Sequence, residues 1–344
     1  MPISRTEQKI DINQRRVING ADADVIQLYP MKHKFAWDAY LVGNANHWLP
    51  TEISMQKDIE QWKSNSVLSE DERKALKTVL GFFTTADSIA ANNVVLALYE
   101  HITSPECRMY ILRQAYEEAI HTHAYQYIVE SLGLDEGEIF NMYREVDAIY
   151  NKDAFILGFN EGIFNPSFRT GTFENDQLFL ENICVFSLVM EGIFFYSSFA
   201  VMFGLQRENK MVGCAELLQY IMRDESMHLN FGINMINSIK EEQPELWTKE
   251  FQNRVIDLVK RGVDLESTFA KEVFPKGIFG MNAEGFRKYI EHIADRRLSR
   301  INLPPQYNTP NPFPWMSEAI DLNKEKNFFE TRVTEYKVGG ALDW

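Results

Sequence analysis

The stretch from Asn182 to Gln206 reads NICVFSLVMEGIFFYSSFAVMFGLQ and holds one charged residue, Glu191; the stretch from Thr78 to Tyr99, TVLGFFTTADSIAANNVVLALY, also holds one, Asp87. Neither alternates apolar and polar side chains as a half-buried strand would, and both run far beyond strand length. Each is therefore read as a helix that is apolar on every side. Such a helix belongs either in a bilayer or at the centre of a large bundle. An acid at mid-span costs about 3 kcal/mol on insertion scales, and both stretches are rich in Ser, Thr, Asn and Gly. The bundle is the stronger reading. In either setting a lone carboxylate must be protonated, paired or bound to a cation, because an uncompensated buried charge is too costly to persist.

The remaining sequence fits an all-α chain. Five of its twelve prolines fall between Pro304 and Pro314, and residues 51–104, 106–165 and 167–243 contain none. Ser69-Glu-Asp-Glu72 is a capping box opening a helix to about His101, and Ser104-Pro105 opens the next, to Gly133. Helical patterns cover about 136–152, 174–203, 209–241, 248–274 and 284–298, and no strand pattern competes. The chain divides into an N-terminal arm (1–30), a helical domain (31–303) and a proline-led C-terminal tail (304–344). Across 344 residues the net charge is -14, which argues against nucleic acid or an anionic membrane as partner. The N-terminus lacks a secretory apolar core, and three cysteines without CxxC spacing indicate neither disulfides nor a thiolate metal site. A cytoplasmic protein is expected.

The two lone acids acquire meaning from two Glu-x-x-His pairs, Glu118-Ala-Ile-His121 and Glu225-Ser-Met-His228. Spacing of i, i+3 places both side chains on one helical face. Each lone acid precedes one such pair by roughly thirty residues, on a helix of its own. One carboxylate from each of two helices and Glu-x-x-His from each of two others is the ligand pattern of di-iron and di-manganese bundles, with Asp87 in place of one Glu. Oxygen-rich ligation with two imidazoles suits iron or manganese and disfavours thiolate-type zinc. In EEAIHTHAY, residues 117–125, Glu118, His121 and Tyr125 lie within about 60° of one another on a helical wheel, whereas His123 is roughly 140° from Glu118. His33, His47, His101, His123 and His292 lack an acid three residues before them and are read as surface or packing histidines. Glu117 is read as a solvated or supporting neighbour.

With these residues placed, the sequence resembles the small, radical-bearing subunit of class I ribonucleotide reductase along essentially its whole length. The strings that carry the resemblance are NHWLPTE, GFFTTADS, EEAIHTHAY, MEGIFFYSSF, RDESMHLNFG and NPFPWMSEAIDLNKEKNFFETRVTEY. It implies a ferritin-like bundle with extra helices and a flexible C-terminal tail. In that family a dinuclear centre reacts with dioxygen to oxidise a tyrosine, and the radical passes reversibly to the large subunit, which reduces ribonucleotides.

Carried over by position, Asp87, Glu118 and His121 would bind one ion and Glu191, Glu225 and His228 the other. Tyr125 falls at the radical position, in an apolar pocket matched by Phe195, Phe199 and Ile221. Trp48 and Asp224 match an electron relay that runs to the ligand histidine, here His121, and Tyr336 matches the relay tyrosine at the subunit interface. The tail after Pro314 would order on the large subunit, and a homodimer is implied. A close branch of the family has Glu and Phe where this chain has Asp87 and Tyr125, and uses a manganese/iron centre. Asp87 and Tyr125 point to di-iron with a tyrosyl radical, with dimanganese or manganese/iron as alternatives. Another di-metal oxidase or monooxygenase would share all six ligands, and a non-catalytic iron-storage bundle would be shorter and assemble into a shell.

Overall fold

The computed structural model describes residues 11–20 and 27–317, and their regular structure is helical throughout. The expected capping box opens α3 (Glu70–Asn92): Ser69 Oγ accepts from the Glu72 amide, and Glu72 accepts from the Ser69 amide at 2.7 Å. The expected Ser104-Pro105 start opens α4 (Pro105–Leu132), which stops where Gly133 adopts φ 65°. Two short helices that the sequence reading did not assign, α1 (Lys34–Ala45) and α2 (Gln56–Lys63), precede them. The pattern read over 136–152 is two helices, α5 (Glu136–Glu145) and α6 (Asp147–Asn160).

The long apolar stretches depart from simple α-helices. α3 widens into π-helical pairing over Asn93–Leu98. α7 (Phe173–Cys184) continues as a π-helical segment, Val185–Phe194, before α8 (Tyr196–Arg207) resumes α-helical pairing. π-helical turns are uncommon and concentrate at functional sites. Glu191 lies on the second of these segments.

α3 packs on α4, the π segment packs on α9 (Val212–Glu242), and α4 meets α9, which closes a central bundle. α1 covers α4 and α9, α5 and α6 cover α3, and α10 (Lys249–Val273) and α11 (Ala283–Arg300) cover the π segment. Both near-uncharged stretches are long enough to cross a membrane, but 67% and 89% of their most apolar windows are buried inside this bundle. Their apolar faces meet protein. The π segment approaches α9 closely because residue 232 is glycine; the Ser187 hydroxyl occupies the space where a Cβ would stand. Phe82, Phe83, Phe195, Phe199 and Phe269 fill one end of the core with almost no exposed surface, each contributing about 2 kcal/mol by transfer from water.

The proline-led run past α11 is packed at its start. Asp295 accepts from the amides of Gln306, Tyr307 and Asn308, and Phe313 packs on Phe286 and Tyr289. Of the expected tail, residues 318–344 lie outside the described residues.

α9 begins after Met211, whose φ of 48° is left-handed, and its first amides are capped from another helix: Asp58 of α2 accepts from Gly213 at 2.9 Å and Cys214 at 2.8 Å. Asp58→Ala removes this cap and should lower stability by about 1–2 kcal/mol, read as a lower melting temperature with helicity retained.

Candidate metal centre

All six proposed ligands, Asp87, Glu118, His121, Glu191, Glu225 and His228, are at most 2% exposed, so water cannot solvate their charges. α3 supplies Asp87, α4 supplies Glu118 and His121, the π segment supplies Glu191, and α9 supplies Glu225 and His228. They converge as two overlapping groups, Asp87, Glu118, His121 and Glu225 in one and Glu118, Glu191, Glu225 and His228 in the other, each with its ligand atoms within 4.8 Å of one another. Glu118 and Glu225 thus belong to both groups, where the sequence reading gave each to a single ion. His121 Nδ1 lies 3.1 Å from Glu225 Oε1 and 3.6 Å from both Asp87 Oδ2 and Glu118 Oε2. His228 Nδ1 lies 3.2 Å from Glu118 Oε1, 3.5 Å from Glu225 Oε2 and 3.9 Å from Glu191 Oε1.

The surroundings fit a pair of cations. Both oxygens of Asp87, Glu118 and Glu225 and the Nδ1 atoms of His121 and His228 are buried without a hydrogen-bond partner. In a folded protein such a concentration of orphaned acceptors is costly unless something positive sits among them. The outer imidazole nitrogens, in contrast, are held: His121 Nε2 lies 3.3 Å from Asp224 Oδ2, and His228 Nε2 lies 2.8 Å from Glu117 Oε2. Donation from Nε2 to a carboxylate leaves the Nδ1 lone pair facing inward, the tautomer a metal ligand needs. These two outer carboxylates have their own arginines, Arg223 with Asp224 at 3.2 Å and Arg113 with Glu117 at 3.0 Å. Four inner carboxylates then remain to balance two divalent ions. Gln114 donates to Glu191 Oε1 at 2.7 Å and fixes that side chain.

Glu117, which the sequence left as either a solvated or a supporting neighbour, is buried and supports His228, whereas Gln114, Arg113 and Arg223 were not found as supports from the sequence. The one available signal was their place beside EEAIHTHAY and RDESMH, which does not separate a buried support from a surface charge. His123, set aside by the wheel, is exposed. His33, also set aside, is buried between Ser104 and Glu242.

Tyr125 has no exposed surface, and its ring stacks on Phe83 at 5.5 Å and 4°. Phe195 and Phe199 reach it through Phe83, at 5.5 and 5.3 Å, and Ile221 is buried on α9. The Tyr125 hydroxyl makes no hydrogen bond; burial first, and then the neighbouring Asp87, hold its pKa well above the ordinary phenol value. Trp48 Nε1 donates to Asp224 Oδ2 at 2.8 Å, and its ring faces His121 at 6.4 Å. Tyr336 lies outside the described residues.

A helical bundle with carboxylates and histidines grouped in this way is a ferritin-like protein whose core could hold a dinuclear metal site. Residues 25–312 match the family model of the ribonucleotide reductase small chain, and the chain belongs to that family as the small subunit of an oxidoreductase. It is 52% identical to the ribonucleoside-diphosphate reductase subunit beta of Chlamydia pneumoniae, over 98% of this chain and 97% of that one. Among solved structures it is similar to the ribonucleotide reductase R2 subunit from Clostridium botulinum, at 28% identity and a TM-score of 0.81, covering 89% of this chain and 94% of the other. It shares its fold, at 20% identity and a TM-score of 0.71, with the dimanganese(II)-NrdF of Streptococcus sanguinis, covering 86% and 98%. Full-length similarity of this kind separates the chain from the storage and monooxygenase readings.

Without an ion, Asp87, Glu191 and the two histidines tend to hold protons, whereas Glu118, despite its burial, is held below the usual carboxylate range by His121 and His228. Burial, reinforced by the charges of Glu118 and Glu225 and opposed by His121, raises Asp87 to about 7, and burial raises Glu191 well above the usual carboxylate range. Burial opposes charge on His121 and His228, but the surrounding carboxylates hold both pKa values well above the ordinary imidazole value. A binding ion must displace these protons, so affinity falls as pH falls. Titration of metal-free protein with Mn(II) should release protons, and between pH 8 and pH 6 affinity should drop by about tenfold per pH unit for each displaced proton whose group has its pKa above this window, with Asp87 adding to the slope only below about pH 7.

Proposed function

We propose that this subunit generates and stores a tyrosyl radical on Tyr125 and passes its oxidising equivalent to the large, ribonucleotide-reducing subunit. The observation that carries the reading is the placement of a sealed, unbonded phenol beside a carboxylate–histidine cluster whose inner atoms are orphaned. Asp87, Glu118, His121, Glu191, Glu225 and His228 would hold two metal ions, with Glu118 and Glu225 shared between them. When bound, the dinuclear centre supplies the oxidising power of dioxygen. Di-iron is proposed on the presence of Asp87 and Tyr125, with dimanganese or manganese/iron as the alternatives.

The chain's own residues account for the other parts. Tyr125, beside Asp87, would give up one electron and its phenolic proton, both taken up in the reduction of dioxygen, and the stack on Phe83 with Phe195 and Phe199 behind it keeps water and reductants away. Trp48 and His121 both bond to one oxygen of Asp224, and this hydrogen-bonded line is the proposed route outward. Tyr336 continues it at the subunit boundary, and the segment beyond Pro314 is the proposed docking peptide for the large subunit. Exposed apolar residues on neighbouring elements, Leu41 and Val42 of α1, Val95 and Leu96 at the end of α3, and Leu112 and Tyr116 of α4, support a homodimer.

Loading with Fe(II) and dioxygen should give a sharp tyrosyl absorption and EPR signal that Tyr125→Phe removes while two metals per chain are retained; the same signal in that variant would refute the assignment. Truncation after Pro314 should abolish association with the large subunit, measured by sedimentation or surface binding, and leave the metal content unchanged.

A further inference from the structure

The π-helical segment that carries Glu191 is gripped from outside by two buried cations that the proposed chemistry does not use. Lys152 of α6 has no exposed surface; its ammonium donates to the Phe194 carbonyl at 3.1 Å and pairs with Glu266 of α10 at 2.6 Å. Glu266 also accepts from Ser197 Oγ, at the start of α8, and the ammonium lies 3.3 Å from the centroid of the Phe82 ring. Arg297 of α11, 6% exposed, donates through Nε to the Gly192 carbonyl at 2.9 Å, with its guanidinium 4.8 Å from the centroid of the Tyr196 ring. The two gripped carbonyls lie where π-helical pairing ends and α8 begins.

A change from i→i+5 to i→i+4 pairing shifts the helical ladder by one residue, and carbonyls at the shift take hydrogen bonds from inserted side chains. Buried ion pairs seldom stabilise a fold more than apolar residues of the same volume would, so packing alone is a poor reason to place Lys152 and Glu266 at this depth. Gly192 directly follows Glu191. A Cβ at position 192 would lie 2.9 Å from the Ser187 carbonyl and 3.3 Å from Arg297 Nε, so only glycine lets the guanidinium close on this peptide.

We infer that Arg297, and Lys152 together with Glu266, are positioning residues that fix the π-helical register and thereby set how far Glu191 reaches into the metal centre. The inference rests on the proposed role of Glu191 as a ligand. It assigns these residues a duty towards metal binding and not only towards stability.

Two variants test it, Arg297→Met and the charge-neutral pair Lys152→Met with Glu266→Gln. Each should keep native helicity and a cooperative melt. In metal-free protein the amides from Gly192 to Tyr196 should exchange with deuterium at least tenfold faster. Titrated with Mn(II), the weaker of the two sites should lose at least tenfold in affinity, and the spin-coupled two-ion EPR signal should give way to that of an isolated ion. Arg297→Lys, which retains a cation for the Gly192 carbonyl, should recover part of the affinity. Unchanged Mn(II) affinities and coupling, with only a lower melting temperature, would overturn the inference. If the double variant does not fold, Arg297→Met decides by the same readouts. Glu191→Ala separates the two levels: loss of the second ion there but not in the positioning variants sinks the inference alone, whereas two ions retained in Glu191→Ala would overturn the ligand reading and the inference with it.

Discussion

Four carboxylates facing one another in a water-free core are the constraint on which the rest of this molecule depends. Without cations or protons among them, Asp87, Glu118, Glu191 and Glu225 would repel one another and lose their hydration together. The fold answers by surrounding the cluster with groups whose charges are already matched. Arg113 neutralises Glu117 and Arg223 neutralises Asp224, and each of these acids orients one imidazole. The inner shell is therefore left with a charge that protons on its own carboxylates and histidines, or a bound cation in their place, must relieve.

Much of this was legible in the sequence because helical periodicity is strict. Asp87 and Glu191 stood out as single charges in apolar helices, and Glu-x-x-His spacing put Glu118 with His121 and Glu225 with His228 on common faces. Tyr125 and His123 were separated by the same geometry. What the sequence did not reveal depends on neighbours distant along the chain. The π-helical pairing at Val185–Phe194 is met at its carbonyls by side chains on α6 and α11, which are distant along the chain. Glu117 looks like any acid beside a ligand until His228, from another helix, is found 2.8 Å away. Sharing of Glu118 and Glu225 between the two groups is likewise a matter of how α4 and α9 face each other. The helices α1 and α2 were missed because they are short and carry few buried residues of their own.

Both departures from α-helical pairing occur in the two helices that each bring a lone acid to the centre. In α3 the wide turns follow Asp87 by less than two turns of helix, and in the other helix they include Glu191 itself. A regular α-helix delivers a side chain at a fixed angle and height; a wide turn adjusts both by a residue's worth of rotation without breaking the helix. α4 and α9, which deliver the Glu-x-x-His pairs, remain regular across those residues. The regular helices thus supply the Glu-x-x-His pairs and the distorted ones supply the single acids.

The two arginine–carboxylate–histidine arms resemble each other in chemistry but not in what lies beyond them. Asp224 Oδ2 is contacted by Trp48 as well as by His121, so a shift of hydrogen-bond strength towards one donor is felt at once by the other. Glu117 touches Arg113 and His228 and has no aromatic donor of this kind among its hydrogen bonds. Near-mirror symmetry around the cluster is thereby broken at a single oxygen atom, which gives the centre a polarity: one flank is terminated, and the other has a door.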